Sequence, residues 1–159
     1  MAIIRKFRVP DSLMLLYPCT IASCEAFWPS LLNSFDDMLL SYTLLNVIQK
    51  SYNPPAGPHK FIGSKSMYMS PGLCAPDVAL AQFPPTRIYL SSVDPLKDDG
   101  LNFLLRLLKN GVNVKAYDLR LMPHGFMNYK LPIVGMDEAE KATEMTGKCL
   151  YAMSNEESF

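Results

Sequence analysis

Two polar residues in the second half of the sequence are of the types that hydrolytic enzymes use. Asp94 follows one predicted strand, and His124 follows the next predicted strand, 30 residues further along in the sequence. A carboxylate that accepts the imidazole Nδ1 proton fixes the tautomer of the ring and stabilises the imidazolium that forms during general-base catalysis. The spacing therefore predicts an acid–base pair, provided that the fold brings the two side chains together.

Each of these residues also has a purely structural interpretation. Aspartate before proline is common in turns, and a lone histidine before glycine is often structural too. Asp98 and Asp99 are expected to stabilise the start of the helix that follows them, by accepting its unpaired N–H groups. His59 lies among prolines and is expected to be a solvated loop residue. From residue types alone, both interpretations of Asp94 and His124 stay open.

Strand and helix patterns alternate along the chain, which is typical of an α/β protein with a mostly parallel sheet. The predicted strands are Leu13–Tyr17, Arg87–Ser91 and Val112–Leu119, and the predicted helices are Met1–Phe7 (the tail of a helix), Phe35–Lys50, Leu101–Asn110 and Asp137–Met153. Open α/β sheets place catalytic groups beyond the carboxyl ends of their strands. One strand–helix–strand unit separates Asp94 from His124, so neighbouring parallel strands would carry both to the same edge.

Several residues indicate where these elements begin, end and pack. Asp36 and Asp37 are expected near the positive end of the second helix, and Gly111 is expected to end the third. The segment 51–85 holds seven of the 13 prolines and is predicted to contain no long regular element. The last helix is predicted to bury one face, made of Ala139, Ala142, Met145, Cys149 and Tyr151 to Met153.

Composition excludes several classes of protein. With 159 residues the chain fits one domain, and 49% hydrophobic residues with a formal net charge of +0 argue against disorder. No basic run provides the charge that a nucleic-acid binder needs, so no nucleic-acid partner is expected. No apolar run approaches the roughly 18 to 20 residues of a membrane-spanning helix, and no secretion signal is evident. A cytoplasmic protein is therefore expected.

The cysteine pattern gives no sign of a metal site. Cys19, Cys24, Cys74 and Cys149 form no C-x-x-C pair, and neither His59 nor His124 stands at ligand spacing from a cysteine. No metal or other cofactor is expected, and the thiols are interpreted as small buried apolar groups.

Five sequence segments together resemble the C-terminal half of the hormone-sensitive lipase family of α/β hydrolases. They are Val9–Pro18, Met69–Asp77, Phe83-Pro84-Pro85, Asp94-Pro95-Leu96-Lys97-Asp98-Asp99-Gly100 and Pro123-His124-Gly125-Phe126. The resemblance implies the C-terminal part of an α/β-hydrolase fold over residues 1–153, with 51–85 as a connecting or cap segment and 154–159 as a polar tail. It also implies that Asp94 is the triad acid and His124 the triad base, acting on carboxylic esters such as acylglycerols or cholesteryl esters.

Two parts of the family's machinery do not occur in these 159 residues. No two of the eight glycines are four apart, so there is no Gly-x-Ser-x-Gly elbow to carry the nucleophile, and no His-Gly-Gly-Gly loop is present. The isolated chain is therefore expected to be inactive and, with the apolar strand Leu13–Tyr17 uncovered, poorly soluble. Expected partners are an ester substrate and either a full-length relative or a separate N-terminal half, with the lipid-droplet surface as a candidate location. The alternative is a non-catalytic half-domain that binds lipid or another protein.

Overall fold

The computed structural model describes residues 2–22, 28–37, 39–52, 66–129 and 137–155. Three parallel strands form one sheet in the order β1, β2, β3: β1 (Leu13–Leu16), β2 (Thr86–Ser91) and β3 (Val114–Leu119). The helices are α1 (Tyr42–Tyr52), α2 (Pro71–Cys74), α3 (Asp77–Leu80), α4 (Lys97–Lys109) and α5 (Asp137–Ser154), with 3₁₀ helices at Pro29–Phe35 and Phe126–Tyr129. The predicted α/β class with a parallel sheet is confirmed.

The sheet is covered on both faces. Every residue of β2 is buried, because β2 lies between the other two strands and alternate side chains point to opposite faces. One face packs on α4 and forms the α4-side core, made of Leu80, Ile88, Leu90, Phe103, Leu107, Val112 and Val114. The other face packs on α5 and forms the α5-side core, made of Tyr89, Met122, Phe126, Ala139, Ala142 and Cys149.

Helix α5 matches its predicted range to within one residue, and most of its predicted inward face is buried. Tyr151 is the exception: it is 66% exposed, so its predicted inward position is wrong. Thr146, which was not predicted to face inward, is buried. Its hydroxyl donates a hydrogen bond to the Ala142 carbonyl at 2.7 Å and is therefore not left unpaired. A helical hydroxyl that bonds to the preceding turn adds no unpaired polar group to the core.

Helix α4 begins four residues before its predicted start. Its first turn holds Asp98 and Asp99, and apolar periodicity alone does not reveal such a polar first turn. Its end is as predicted: Gly111 follows the last turn with a φ of +76°, the left-handed conformation that glycine adopts at low cost.

The predicted helix Phe35–Lys50 is wrong over those of its residues before Tyr42 that the structure describes. Pro29–Phe35 forms a 3₁₀ helix, and Asp37 then accepts the N–H groups of Leu39 and Leu40 through Oδ1, at 2.7 and 2.9 Å. These bonds satisfy the backbone outside a helix, so α1 begins only at Tyr42 and has no acidic residue in its first turn. The expected interaction of Asp36 and Asp37 with a helix dipole is therefore also wrong.

Within the predicted helix tail Met1–Phe7, the described residues 2–7 form turns rather than a helix. The N–H of Phe7 donates to the Ala2 carbonyl at 2.9 Å, that of Lys6 donates to the Ile3 carbonyl at 3.2 Å, and Lys6 has a φ of +56°. This pair of bonds around a left-handed residue is the arrangement with which helices often end. The described residues 2–7 thus have the hydrogen bonds of a helix C-terminal cap without forming a helical span.

Several predictions concern segments that the structure describes only in part. The longest helices or strands in 66–85 are α2 and α3, each of four residues, as predicted for a segment without long regular elements. The described ranges do not include 53–65, which contains His59, nor Cys24, nor the tail residues 156–159. Of the described cysteines, Cys149 is buried, Cys74 is half-buried and Cys19 is exposed, so the expectation of buried thiols is wrong for Cys19, which lies in the turn after β1. The predicted boundary between a partial α/β-hydrolase domain, 1–153, and a polar tail, 154–159, stays a prediction.

None of the helices in the described ranges combines the length and the hydrophobicity needed to cross a bilayer.

Candidate active site

Asp94 lies three residues beyond the carboxyl end of β2 and is buried, with 1% of its surface exposed. Its Oδ1 accepts the N–H of Leu96 at 2.8 Å, and its backbone carbonyl accepts the N–H of Lys97 at 3.1 Å. These are the bonds of an aspartate-led turn before proline. Asp94 is therefore a turn residue through its Oδ1 atom, as the structural interpretation predicted. Its Oδ2 atom is available for another hydrogen-bond partner.

His124 lies five residues beyond the carboxyl end of β3. Leu121, with a φ of +60°, turns the chain away from the strand and donates its N–H to Ser92 Oγ at 2.9 Å. On the other side of His124, Gly125 has a φ of +73° and allows the next residue, Phe126, to enter the α5-side core, where it is fully buried. The imidazole is thus held between two sharp turns with 26% of its side chain exposed.

The two residues meet at the edge of the sheet. His124 Nδ1 lies 2.9 Å from Asp94 Oδ2, as expected for groups at the carboxyl ends of adjacent parallel strands. An ionised carboxylate only accepts hydrogen bonds, so Nδ1 of the imidazole is the donor and Nε2 is the ring nitrogen that can accept a proton. This arrangement can hold an imidazole in one tautomer and stabilise its protonated form.

Tyr17 also lies beside the imidazole, and it directly follows the carboxyl end of β1. Its ring lies 5.0 Å from the His124 ring at 66°, and 5.1 Å from the Phe126 ring at 82°. Residue types and spacing alone did not indicate a role for Tyr17 at the site. The available signal was its place directly after an apolar strand and before Pro18, at the same edge as the two predicted residues.

Asp99 also has a role that its position in the sequence did not indicate. Its Oδ2 accepts the N–H groups of Thr20 and Ile21 at 2.9 and 3.0 Å, and its Oδ1 accepts the Thr20 hydroxyl in a short hydrogen bond. Burial raises the pKa of the Asp99 carboxyl above its ordinary value, and these three hydrogen bonds partly oppose that effect. The carboxylate therefore ties the segment after β1 to the first turn of α4.

The expectation that Asp98 and Asp99 cap their own helix is accordingly wrong. Asp98 Oδ2 accepts the N–H of Ser30 at 2.8 Å, while Ser30 Oγ accepts the N–H of Asp98 at 3.1 Å. The side chains of Asp99 and Asp98 thus bind the backbone around residues 20 and 30, respectively. Ser30 Oγ accepts one N–H group from the first turn of α4. Both carboxylates remain near the positive end of the helix dipole, which favours their charge.

No group of three or more histidine, cysteine, aspartate or glutamate side chains with the geometry to hold a metal ion is found in the described part of the chain.

Comparison with known proteins gives a consistent result. A family model described as alpha/beta hydrolase fold matches residues 2–128. Esterase LipI of Mycobacterium tuberculosis is 29% identical over 142 residues, which are 88% of this chain and 39% of that protein. Hormone-sensitive lipase of Mus musculus is 38% identical over 64 residues, which are 40% of this chain and 8% of that protein.

A solved structure extends the comparison to the fold. The carboxyl esterase 2 structure from the mycorrhizal fungus Tuber melanosporum matches 97% of this chain and 46% of its own, with a TM-score of 0.73 and 25% identity. The chain therefore spans less than half the length of each of these relatives. Because the family match covers well over half of the 159 residues, the chain belongs to the α/β-hydrolase fold family of the hormone-sensitive lipase type.

Proposed function

We propose that the chain supplies the acid and the base of the catalytic triad of a carboxylic ester hydrolase. The observation that carries this proposal is the 2.9 Å contact between His124 Nδ1 and Asp94 Oδ2 at the edge of the parallel sheet. In this role His124 Nε2 takes the proton of the attacking hydroxyl and later gives it to the leaving alcohol. Asp94 keeps the imidazole in the required tautomer and stabilises its positive charge. The substrates proposed are acylglycerols and other carboxylic esters.

The nucleophilic hydroxyl has to come from a segment outside these 159 residues, since no Gly-x-Ser-x-Gly elbow occurs among them. Without a nucleophile, an acid–base pair cannot form an acyl-enzyme, and loss of a triad member typically lowers turnover by about 10⁴ to 10⁶. The isolated chain is accordingly proposed to be inactive.

The outer edge of β1 is where such a segment would attach. Among the described residues β1 pairs only with β2, and the N–H groups of Leu13 and Tyr17 donate to that side. In a parallel strand the intervening residues, Met14 and Leu16, direct their backbone groups to the opposite side. A strand added parallel to β1 would end level with Tyr17, beside the His124 ring. A separate N-terminal half, or the corresponding part of a full-length relative, is the partner that this edge fits.

Ester hydrolysis by the co-expressed complex, compared with the isolated chain, tests the proposal. The purified chain alone should not hydrolyse p-nitrophenyl butyrate faster than free imidazole at the same concentration. After co-expression with the N-terminal part of the Tuber melanosporum or Mycobacterium tuberculosis esterase, activity should appear. In that complex Asp94→Asn should lower turnover about 10⁴-fold and His124→Ala about 10⁴- to 10⁶-fold.

A matched control uses Asp118, whose carboxylate pairs with Lys97 at 2.7 Å and is about half exposed. Asp118→Asn should leave turnover unchanged. Turnover by the isolated chain that His124→Ala abolishes would contradict the proposal, as would an active complex that tolerates both triad substitutions.

The second candidate is a non-catalytic half-domain that binds lipid or a relative, which the missing nucleophile elbow favours. It would be supported if the complex forms and binds an ester analogue without ever hydrolysing it.

A further inference from the structure

We propose that Tyr17 is a positioning residue for His124, whose ring holds the imidazole in the orientation that directs Nδ1 to Asp94. The catalytic consequence rests on the proposed function. The orientation itself is a property of the described chain and can be tested without any turnover.

The first observation is where the Tyr17 ring lies. It makes edge-to-face contacts with His124 on one side and with Phe126 on the other, at 5.0 and 5.1 Å between ring centroids. Edge-to-face geometry is favourable because the positive edge of one ring meets the negative face of the other. Since Phe126 is fully buried, it gives the Tyr17 ring a fixed support against which the partly exposed imidazole is held.

The second observation is that Tyr17 leaves the alternation of its strand to reach this position. Met14 and Leu16 pack on the α5-side core and Leu15 packs on the α4-side core, so continued alternation would send residue 17 to the α4 side. Instead Tyr17 adopts a φ of +37° and packs on the α5-side core, where His124 and Phe126 are. A left-handed backbone is unfavourable for a bulky residue, and such conformations persist only where the surroundings enforce them.

The third observation identifies what enforces it. Before the turn, the Tyr17 N–H donates to the Tyr89 carbonyl at 2.8 Å. After the turn, Pro18 packs so closely on α4 that a Cβ at Gly100 would lie 3.3 Å from its Cγ. The Asp99 carboxylate then holds the backbone of Thr20. The first turn of α4 thus anchors the segment that carries Tyr17, and the same turn directly follows the loop that carries Asp94.

Removing the ring should therefore free the imidazole to turn away from the carboxylate. Aromatic pairs of this geometry shift an equilibrium by about 2- to 10-fold. The ratio of the Nδ1–H to the Nε2–H tautomer of His124 should fall by that factor in Tyr17→Leu.

The test is nitrogen NMR of the full chain with ¹⁵N-labelled histidine, at a pH where the imidazole is neutral. The chain has only two histidines, so a His59→Gln background leaves one signal set to interpret. Tyr17→Leu should lower the tautomer ratio, and Tyr17→Phe, which keeps the ring, should retain the wild-type ratio. Tyr42→Leu is the matched control, because the Tyr42 ring stacks on Phe35 and the aromatic contact recorded for the imidazole is with Tyr17.

An unchanged tautomer ratio in Tyr17→Leu, with the backbone amide spectrum of β2 and β3 preserved, would overturn the proposal. If Tyr17→Leu does not fold, nuclear Overhauser contacts between the Tyr17 and His124 ring protons of the wild type decide the question: their presence supports the proposal and their absence overturns it. Neither readout depends on ester hydrolysis, so a failure here is distinct from a failure of the proposed function.

Discussion

Replacing Asp99 by alanine is expected to lower the free energy of unfolding by about 2 to 6 kcal/mol. The substitution leaves the N–H groups of Thr20 and Ile21 without their acceptor, and each buried unpaired group costs about 1 to 3 kcal/mol. Because small domains are stable by only about 5 to 15 kcal/mol in total, a loss of this size takes away a large part of the stability.

Asp99→Asn separates the hydrogen bonds from the charge. The amide has the shape of the carboxylate, its oxygen can accept the same N–H groups, and the Thr20 hydroxyl can reverse to accept from Nδ2. We therefore expect a loss below about 2 kcal/mol for this variant near neutral pH. Asp118→Ala, at a half-exposed position, should change stability by no more than about 0.5 kcal/mol.

The stabilities of the wild type and of Asp99→Asn should also differ in their pH dependence. Burial raises the pKa of Asp99 in the folded state above its ordinary value of 3.8, so the folded protein binds this proton more tightly than the unfolded chain does. The resulting stabilisation is fully present below that ordinary value and is lost as the pH rises through the folded-state pKa. Relative to Asp99→Asn, the wild type should therefore be most stable at low pH and lose this advantage towards neutral pH.

Urea unfolding followed by tryptophan fluorescence and circular dichroism, from pH 3 to pH 7, measures both effects. An Asp99→Ala variant that unfolds within about 0.5 kcal/mol of the wild type at pH 7 would refute the role given to these hydrogen bonds. A stability of the wild type relative to Asp99→Asn that increases with pH would refute the effect of burial on Asp99.

Three glycines give further predictions for thermal unfolding. Gly147→Ala should stabilise the chain by about 0.5 to 1 kcal/mol, since this exposed position within α5 has nothing within 4 Å of a new Cβ. Gly111→Ala should instead destabilise it by about 1 to 2 kcal/mol, because its φ of +76° strains any residue with a Cβ. Gly100→Ala should cost about 1 to 3 kcal/mol by overpacking, since its Cβ would lie 2.5 Å from Leu90 Cδ2. A stabilised Gly100→Ala or Gly111→Ala would contradict the corresponding argument.

The strands were predictable because their signal is local. The continuous apolar run Leu13–Tyr17 and the strand pattern of Arg87–Ser91 predicted two strands, and the structure places β1 and β2 within one residue of these ranges. Helices were less predictable where tertiary contacts decide their ends. The first turn of α4 is polar and is fastened to Thr20, 79 residues away in sequence from Asp99, so apolar spacing located only the later turns.

In the candidate site, too, some contacts could be predicted from the sequence and others could not. The contact between Asp94 and His124 followed from the rule that strand ends meet at one edge of a parallel sheet. The contribution of Tyr17 did not follow, because it depends on a left-handed backbone that reverses the strand's alternation. The apolar spacing over Phe35–Lys50 likewise extended across two separate elements, since the turn at Asp37 is made by side-chain hydrogen bonds.

Detecting the proton on His124 Nδ1, between Asp94 and His124, is the most direct test of the central claim that these residues form an acid–base pair. Proton NMR of the wild-type chain should show a strongly downfield resonance from the His124 Nδ1–H. In Asp94→Asn that resonance should vanish and the imidazole should change to its Nε2–H form, because Leu96 keeps the amide oxygen and the amide nitrogen can only donate. A wild-type imidazole that already carries its proton on Nε2, or one that Asp94→Asn leaves unaltered, would contradict the account.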